Sequence, residues 1–111
     1  MNFFRNFGGI DAISPQKAYK AMKESDQYIL LYVRTPAEYK EARIDGAKLI
    51  QIDELGRRAP TELPDKDIPI YVYCRSGGRA SGAVRTLKSM GYTNVANMGG
   101  IMNWTYETVK G

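Results

Sequence analysis

The only cysteine of the 111-residue chain, Cys74, lies in the stretch YVYCRSGGRASG, residues 71–82, where an apolar run gives way to glycines and arginines. A lone cysteine is by itself most often a packing residue, since free cysteine is among the most buried residue types. Its neighbours argue for a nucleophile instead. Gly77 and Gly78 let the backbone turn tightly, so successive N–H groups of residues 75–79 can converge on one anionic atom. A helix starting just after them adds the partial positive charge of its N-terminus. Arg75 and Arg79 bring two fixed charges to the same loop. Such surroundings favour a thiolate over a thiol.

The chemistry open to that thiolate is narrow. The chain has no histidine, so a Cys–His dyad of the protease kind is excluded. With one cysteine there is no resolving thiol, no CxxC pair and no multi-thiolate zinc cluster. GGRASG is not GxGxxG and lacks a P-loop lysine, so no nucleotide is expected. Neither a metal nor another cofactor is called for. What remains is attack on an electrophile whose leaving group needs little protonation. A sulfane sulfur, as in thiosulfate, fits; so does a phosphoryl or arsenate group.

The loop needs elements to hold it. Ser14 before Pro15 marks a helix start, with Ala18, Ala21 and Met22 on one face. YILLYV, 28–33, is a short apolar run suited to a strand buried on both faces. Thr35, Pro36 and Glu38 form a capping box that opens a second helix. AKLI at 47–50 predicts a short strand, the segment from Ile52 to Ala59 a short helix, and IPIYVYC, 68–74, a strong strand. Ala80, Ala83, Val84, Leu87 and Met90 then recur at helical spacing, and Gly91 closes that helix. Gly82 inside it predicts close packing on the sheet. NVANM, 94–98, predicts a last strand, and a helix containing Trp104 ends the chain. Alternating strands and helices imply an α/β fold with a mainly parallel sheet flanked by helices on both faces. In such sheets ligands sit beyond the carboxyl ends of the strands. Cys74 ends one.

Composition sets the outer bounds. The length suits one domain, 1–111, and 43% hydrophobic residues can build a core. Sixteen Lys and Arg against 12 Asp and Glu give +4, but the charges are scattered, with no run beyond Arg57-Arg58. No nucleic-acid partner is expected, and the basic excess can help gather small anions. No stretch approaches the ~20 apolar residues of a membrane span, and the first residues lack a signal-peptide core. One unpaired cysteine suits a reducing compartment, so a soluble cytoplasmic protein is expected.

CRSGGR and the following ASGAVRTLKSMGYTNVANMGGIMNW resemble the active loop, helix and closing segment of rhodanese-like sulfurtransferase domains. RTPAEYKEARIDGA, 34–47, resembles their upstream signature, and the similarity runs from about Ile13 to Trp104. The resemblance implies about five mainly parallel strands flanked by helices. It implies a catalytic Cys74 that carries a persulfide, with Arg75, Ser76, Gly77, Gly78 and Arg79 forming the substrate-binding loop. It implies a small anionic, thiosulfate-like donor and a thiol or cyanide acceptor, with a protein sulfur acceptor as a further partner. Cysteine phosphatases carry one residue more between cysteine and arginine, so the shorter loop here suits a single sulfur atom. A non-enzymatic binding or sulfur-sensing module is the alternative, and a cysteine phosphatase or arsenate reductase the third reading. Three positions depart from the family pattern: Tyr32 stands where an acid is usual, Arg43 where a histidine is usual, and Asp45 where a proline is usual. Arg34, matching the family's arginine, is expected in a structural ion pair.

Overall fold

The structure, a computed structural model, describes residues 12–75 and 78–111. Strands β1 (Ile29–Tyr32), β2 (Lys48–Leu49), β3 (Ile70–Cys74) and β4 (Val95–Gly100) form one sheet in the order β2-β1-β3-β4. Every neighbouring pair is parallel. Helices α1 (Pro15–Glu24), α2 (Pro36–Glu41), α3 (Leu55–Glu62) and α4 (Gly78–Ser89) alternate with the strands. A 3-10 turn, Ile52–Glu54, leads into α3, so the short helix expected there begins as a tighter coil.

Period-two alternation sorts the strand residues between two cores. Leu31, Val33, Val72 and Cys74 pack with Ala80, Ala83, Val84 and Leu87 of α4 and with Leu55, Ala59 and Leu63 around α3. Leu30, Tyr32, Tyr71 and Tyr73 face the other way, toward Ala18 of α1, Ile44 and Trp104. The helix starts behave as their sequences dictate. Ser14 Oγ accepts the Lys17 N–H at 3.1 Å. Thr35 Oγ1 accepts the Glu38 N–H at 3.3 Å while Glu38 Oε1 accepts the Thr35 N–H at 3.0 Å, a complete capping box with Pro36 at the first helical position. Gly91, at φ +99°, takes the left-handed conformation that ends α4.

Three expectations need correction. The sheet has four strands among the described residues, where about five were implied; the position beyond β4 holds a single parallel bridge, Ala12 to Asn97. Trp104 is not in a helix. A 3-10 turn, Ile101–Asn103, precedes it, and Trp104 itself is extended. Trp104 and Tyr106 both meet Tyr19 of α1, the first edge-on at 5.8 Å and the second stacked at 3.7 Å. Gly82 does not serve contact with the sheet: the neighbour its Cβ would meet is Ile52 Cδ1 at 3.4 Å, on the 3-10 turn before α3.

No helix among the described residues is long and apolar enough to cross a membrane.

Candidate active site

Cys74 is the last residue of β3 and is 1% exposed. Its side chain joins the aliphatic core under α4, and its backbone lies between β1 and β4 at the carboxyl edge of the sheet. Arg75 follows it, exposed; Gly78 opens α4 and Arg79 stands exposed in its first turn. Ser76 and Gly77, the middle of the predicted binding loop, lie outside the described residues. The strand end, two cations and the helix start are therefore brought together. Among the described residues, neither Arg75 nor Arg79 has an ion-pair partner.

The strand beside Cys74 is irregular at the same level. Val72 pairs with Asn97, but Cys74 pairs with Gly100, so β4 carries an extra residue across this step. Gly99 takes φ +96° there, and its N–H donates to Asn97 Oδ1 at 2.7 Å. A bulge of this kind bends the strand and re-aims the chain leaving it. That chain forms the Ile101–Asn103 turn, whose Met102 N–H donates to the Arg75 carbonyl at 3.2 Å. The segment beyond β4 thus braces the loop beyond β3.

Two recesses flank this edge. One, of about 300 Å3, is lined by Val33, Arg34, Thr35, Gln51, Ile52, Asp53 and Arg79. Arg34 is committed within it: Nε donates to Glu38 Oε1 at 2.7 Å and the guanidinium pairs with the second carboxylate oxygen. That is the structural ion pair its sequence position suggests, and among the described residues it leaves Arg79 as the arginine there without a partner. The other recess, of about 220 Å3, lies between Tyr32, Glu38, Glu41, Ala42, Arg75, Ile101 and Met102. Burial pushes the Tyr32 phenol above its ordinary pKa, and Arg34 pulls it back; Cys74 and Glu41 raise it further, while Arg75 lowers it. The phenol therefore stays protonated through the neutral range and sits electrostatically between the cysteine and the recess charges.

Tyr32 is held in place by Tyr73, whose ring stacks on it at 4.5 Å with planes 2° apart. The Tyr73 hydroxyl in turn accepts the Ile44 N–H at 3.0 Å, and burial drives its pKa strongly upward. Arg43, the second unusual position, spends its guanidinium on the carbonyls of Tyr39 (3.2 Å) and Gly111 (2.9 Å), over the Tyr39 ring. It lines neither recess. A larger recess of about 630 Å3, between Tyr19, Tyr28, Trp104 and Tyr106, contains none of the predicted site residues.

Glu41, Met102 and the Tyr32 hydroxyl were not marked as site residues by the sequence. The available signal was topological: residues just past the carboxyl ends of adjacent parallel strands share one edge, and Tyr32 pairs in register with Tyr73.

An all-parallel sheet with a cysteine ending a central strand, ahead of a helix that starts among arginines, defines an α/β fold with a thiol-bearing residue at the carboxyl edge of its sheet. The chain belongs to the rhodanese-like domain family, whose model matches residues 14–107. It is 38% identical over 79 residues to the thiosulfate sulfurtransferase PspE of Escherichia coli, covering 71% of this chain and 76% of that one. It is 31% identical to a sulfurtransferase of Allochromatium vinosum, over 86% of this chain and 88% of that one. A putative sulfur carrier protein of Bacillus subtilis, YrkF, matches at 38% over 93% of this chain, which spans 55% of that protein. Among solved structures, the Alr3790 protein of Anabaena superposes with a TM-score of 0.82 at 27% identity, over 88% of this chain and 91% of that one. A rhodanese with anions from Escherichia coli superposes at 0.69 with 36% identity, over 76% and 99%.

Proposed function

We propose that the protein is a sulfurtransferase that carries sulfur as a persulfide on Cys74, with thiosulfate or a similar anion as donor. The observation that carries this reading is the placement of Cys74. It ends a central parallel strand, with Arg75 beside it and Arg79 in the first turn of the helix after it. In the first step the Cys74 thiolate attacks the outer sulfur of thiosulfate. The S–S bond breaks, its electron pair leaves with sulfite, and Cys74 retains the transferred sulfur as an anionic persulfide. No histidine is needed, because sulfite departs already charged. The amides of residues 75–79 and the N-terminus of α4 are the groups we assign to hold the terminal sulfur. Arg79, in the recess where Arg34 is already paired, is the cation we assign to the donor. In the second step a thiol or cyanide attacks the terminal sulfur and regenerates Cys74. The sulfurtransferase names of the relatives support this activity for the present chain.

The test is a sulfur-transfer assay with several donors and acceptors, run beside Cys74→Ser. Turnover by the unaltered protein and none by the serine variant is expected. Binding of donor without turnover would favour a binding or sensing module, and hydrolysis of aryl phosphates would favour a phosphatase.

A further inference from the structure

The recess between Arg75 and Glu41 is chemically unlike the donor side. Arg75 and Glu41 are both exposed, and among the described residues neither is engaged in an ion pair. They line the same cavity of about 220 Å3, below the roughly 300–1,000 Å3 typical of sites for drug-sized ligands. Its other carboxylate, Glu38, is held by Arg34 and by the Thr35 N–H, so Glu41 supplies the available negative charge. Its lining includes Tyr32, whose hydroxyl has no hydrogen-bond partner among the described residues. That hydroxyl is not sealed off, since no buried polar side-chain atom is left unsatisfied among the described residues. Ile101, Met102 and Ala42 supply apolar wall, and Met102 is 66% exposed at the rim. A small anion such as thiosulfate would meet Glu41 unfavourably here. A small molecule with one positive end, one negative end and an apolar, sulfur-bearing middle would match every wall.

From this juxtaposition we infer that the recess is the acceptor subsite and that it selects a small zwitterionic thiol of the amino-acid class. Arg75 receives its carboxylate, Glu41 its ammonium, and the Tyr32 hydroxyl hydrogen-bonds its polar end while the thiol points to Cys74. The inference rests on the sulfurtransferase reading above and names the acceptor it leaves open. The transfer balances without any oxidant. After the persulfide takes a proton from water, the acceptor thiolate attacks its outer sulfur. The bond from that sulfur to Cys74 Sγ breaks, and the electron pair leaves on Sγ as thiolate. The proton stays with the transferred sulfur, so the product is the acceptor's own persulfide.

The experiment loads Cys74 with thiosulfate, removes the excess, and tracks single-turnover discharge by four thiols. Cysteine carries both charges, cysteamine only the ammonium, 3-mercaptopropionate only the carboxylate, and 2-mercaptoethanol neither. Each rate in a variant is divided by the same thiol's rate in the unaltered protein, which cancels intrinsic thiol reactivity. Relative to 2-mercaptoethanol, Glu41→Gln should slow cysteamine about fivefold and speed 3-mercaptopropionate about twofold, the scale of an accessible ion pair. Arg75→Gln should do the reverse, and both variants should slow cysteine. The crossed pattern supports the subsite. Loaded protein whose variants shift all four thiols alike, or none, overturns the subsite and leaves the sulfurtransferase intact. Failure of any donor to load Cys74 overturns both.

Discussion

The two faces of the sheet are built from different materials, although each strand supplies both in alternation. Under α3 and α4 the core is mostly aliphatic and small: Leu31, Val33, Val72 and Val95 against Ala80, Ala83, Val84 and Leu87, with Tyr92 packed among them. Over α1 and α2 it is aromatic, with Tyr32, Tyr71, Tyr73 and Trp104 at its centre and Tyr19, Tyr39 and Tyr106 packed around them. Cys74 projects into the first face and its predecessor Tyr73 into the second. On the first face the small alanines Ala80 and Ala83 let α4 lie close to the strand that ends in Cys74. The aromatic face does a different job. Its hydroxyls tie loops to a strand and to a helix: Tyr73 of β3 takes the Ile44 N–H, and Tyr39 of α2 donates to the Ala47 carbonyl at 2.8 Å. One face holds Cys74, the proposed nucleophile; the other shapes the walls of the neighbouring recess.

The contrast predicts unequal losses. Leu87→Ala, which empties a fully buried position on the aliphatic face, should cost about 2–5 kcal/mol of stability in urea unfolding. Tyr73→Phe, on the aromatic face, removes only an oxygen but strips the buried Ile44 N–H of its partner. It should cost about 1–3 kcal/mol. A Tyr73→Phe protein as stable as the parent would show that the hydroxyl anchors nothing, and the division between the faces would then be one of packing alone.

The comparison of the two recesses is sharpened by Arg79. Because Arg34 is held by Glu38, Arg79→Ala should raise the KM for thiosulfate roughly tenfold, the scale of a lost charge-assisted contact. Lys110→Ala, an exposed control, should not reproduce that rise. Equal effects would mean that only the net positive charge gathers the donor.

Smallest of all is an effect at the sheet edge, away from both cores. Arg58 of α3 grips Glu62 through two hydrogen bonds, 2.5 and 2.9 Å, and Lys48 of β2 reaches the same carboxylate at 3.1 Å. The Arg58 guanidinium first, and Lys48 second, hold the Glu62 carboxyl well below the ordinary 4.5, at about 2. A depressed folded-state pKa stabilises the fold above the ordinary value and ceases to do so as pH falls toward 2. Glu62→Gln should therefore be slightly less stable than the parent at pH 7, and the two should converge as the pH is lowered through that window. The group is solvent-accessible, so the difference should be small and should shrink in high salt.

Much of this architecture is legible in the sequence, because local chemistry decides it. Thr35, Pro36 and Glu38 specify a helix start without help from the rest of the chain, and the apolar runs at 28–33 and 68–74 can hardly be anything but buried strands. The four strands read from residue patterns are the four observed. The parts that were not legible depend on register and on partners remote in sequence. The extra residue of β4 opposite Cys74 becomes visible only when Val72 and Cys74 are paired with Asn97 and Gly100. Trp104 reads as helical until Tyr19 is placed beside both it and Tyr106. The recess beside Arg75 needs Tyr32, Glu41 and Met102 from three separate elements, and no local spacing connects them. Cys74 could be proposed as a nucleophile from its own neighbours because they are consecutive in sequence; a recess is made by the fold.

The central claim is that Cys74 is the sulfur carrier, and intact-protein mass measurement after brief treatment with thiosulfate tests it most directly. The protein should gain the mass of one sulfur atom, peptide mapping should place it on Cys74, and cyanide should remove it with release of thiocyanate. A folded protein with its thiol reduced that gains no mass from any sulfur donor would contradict the account.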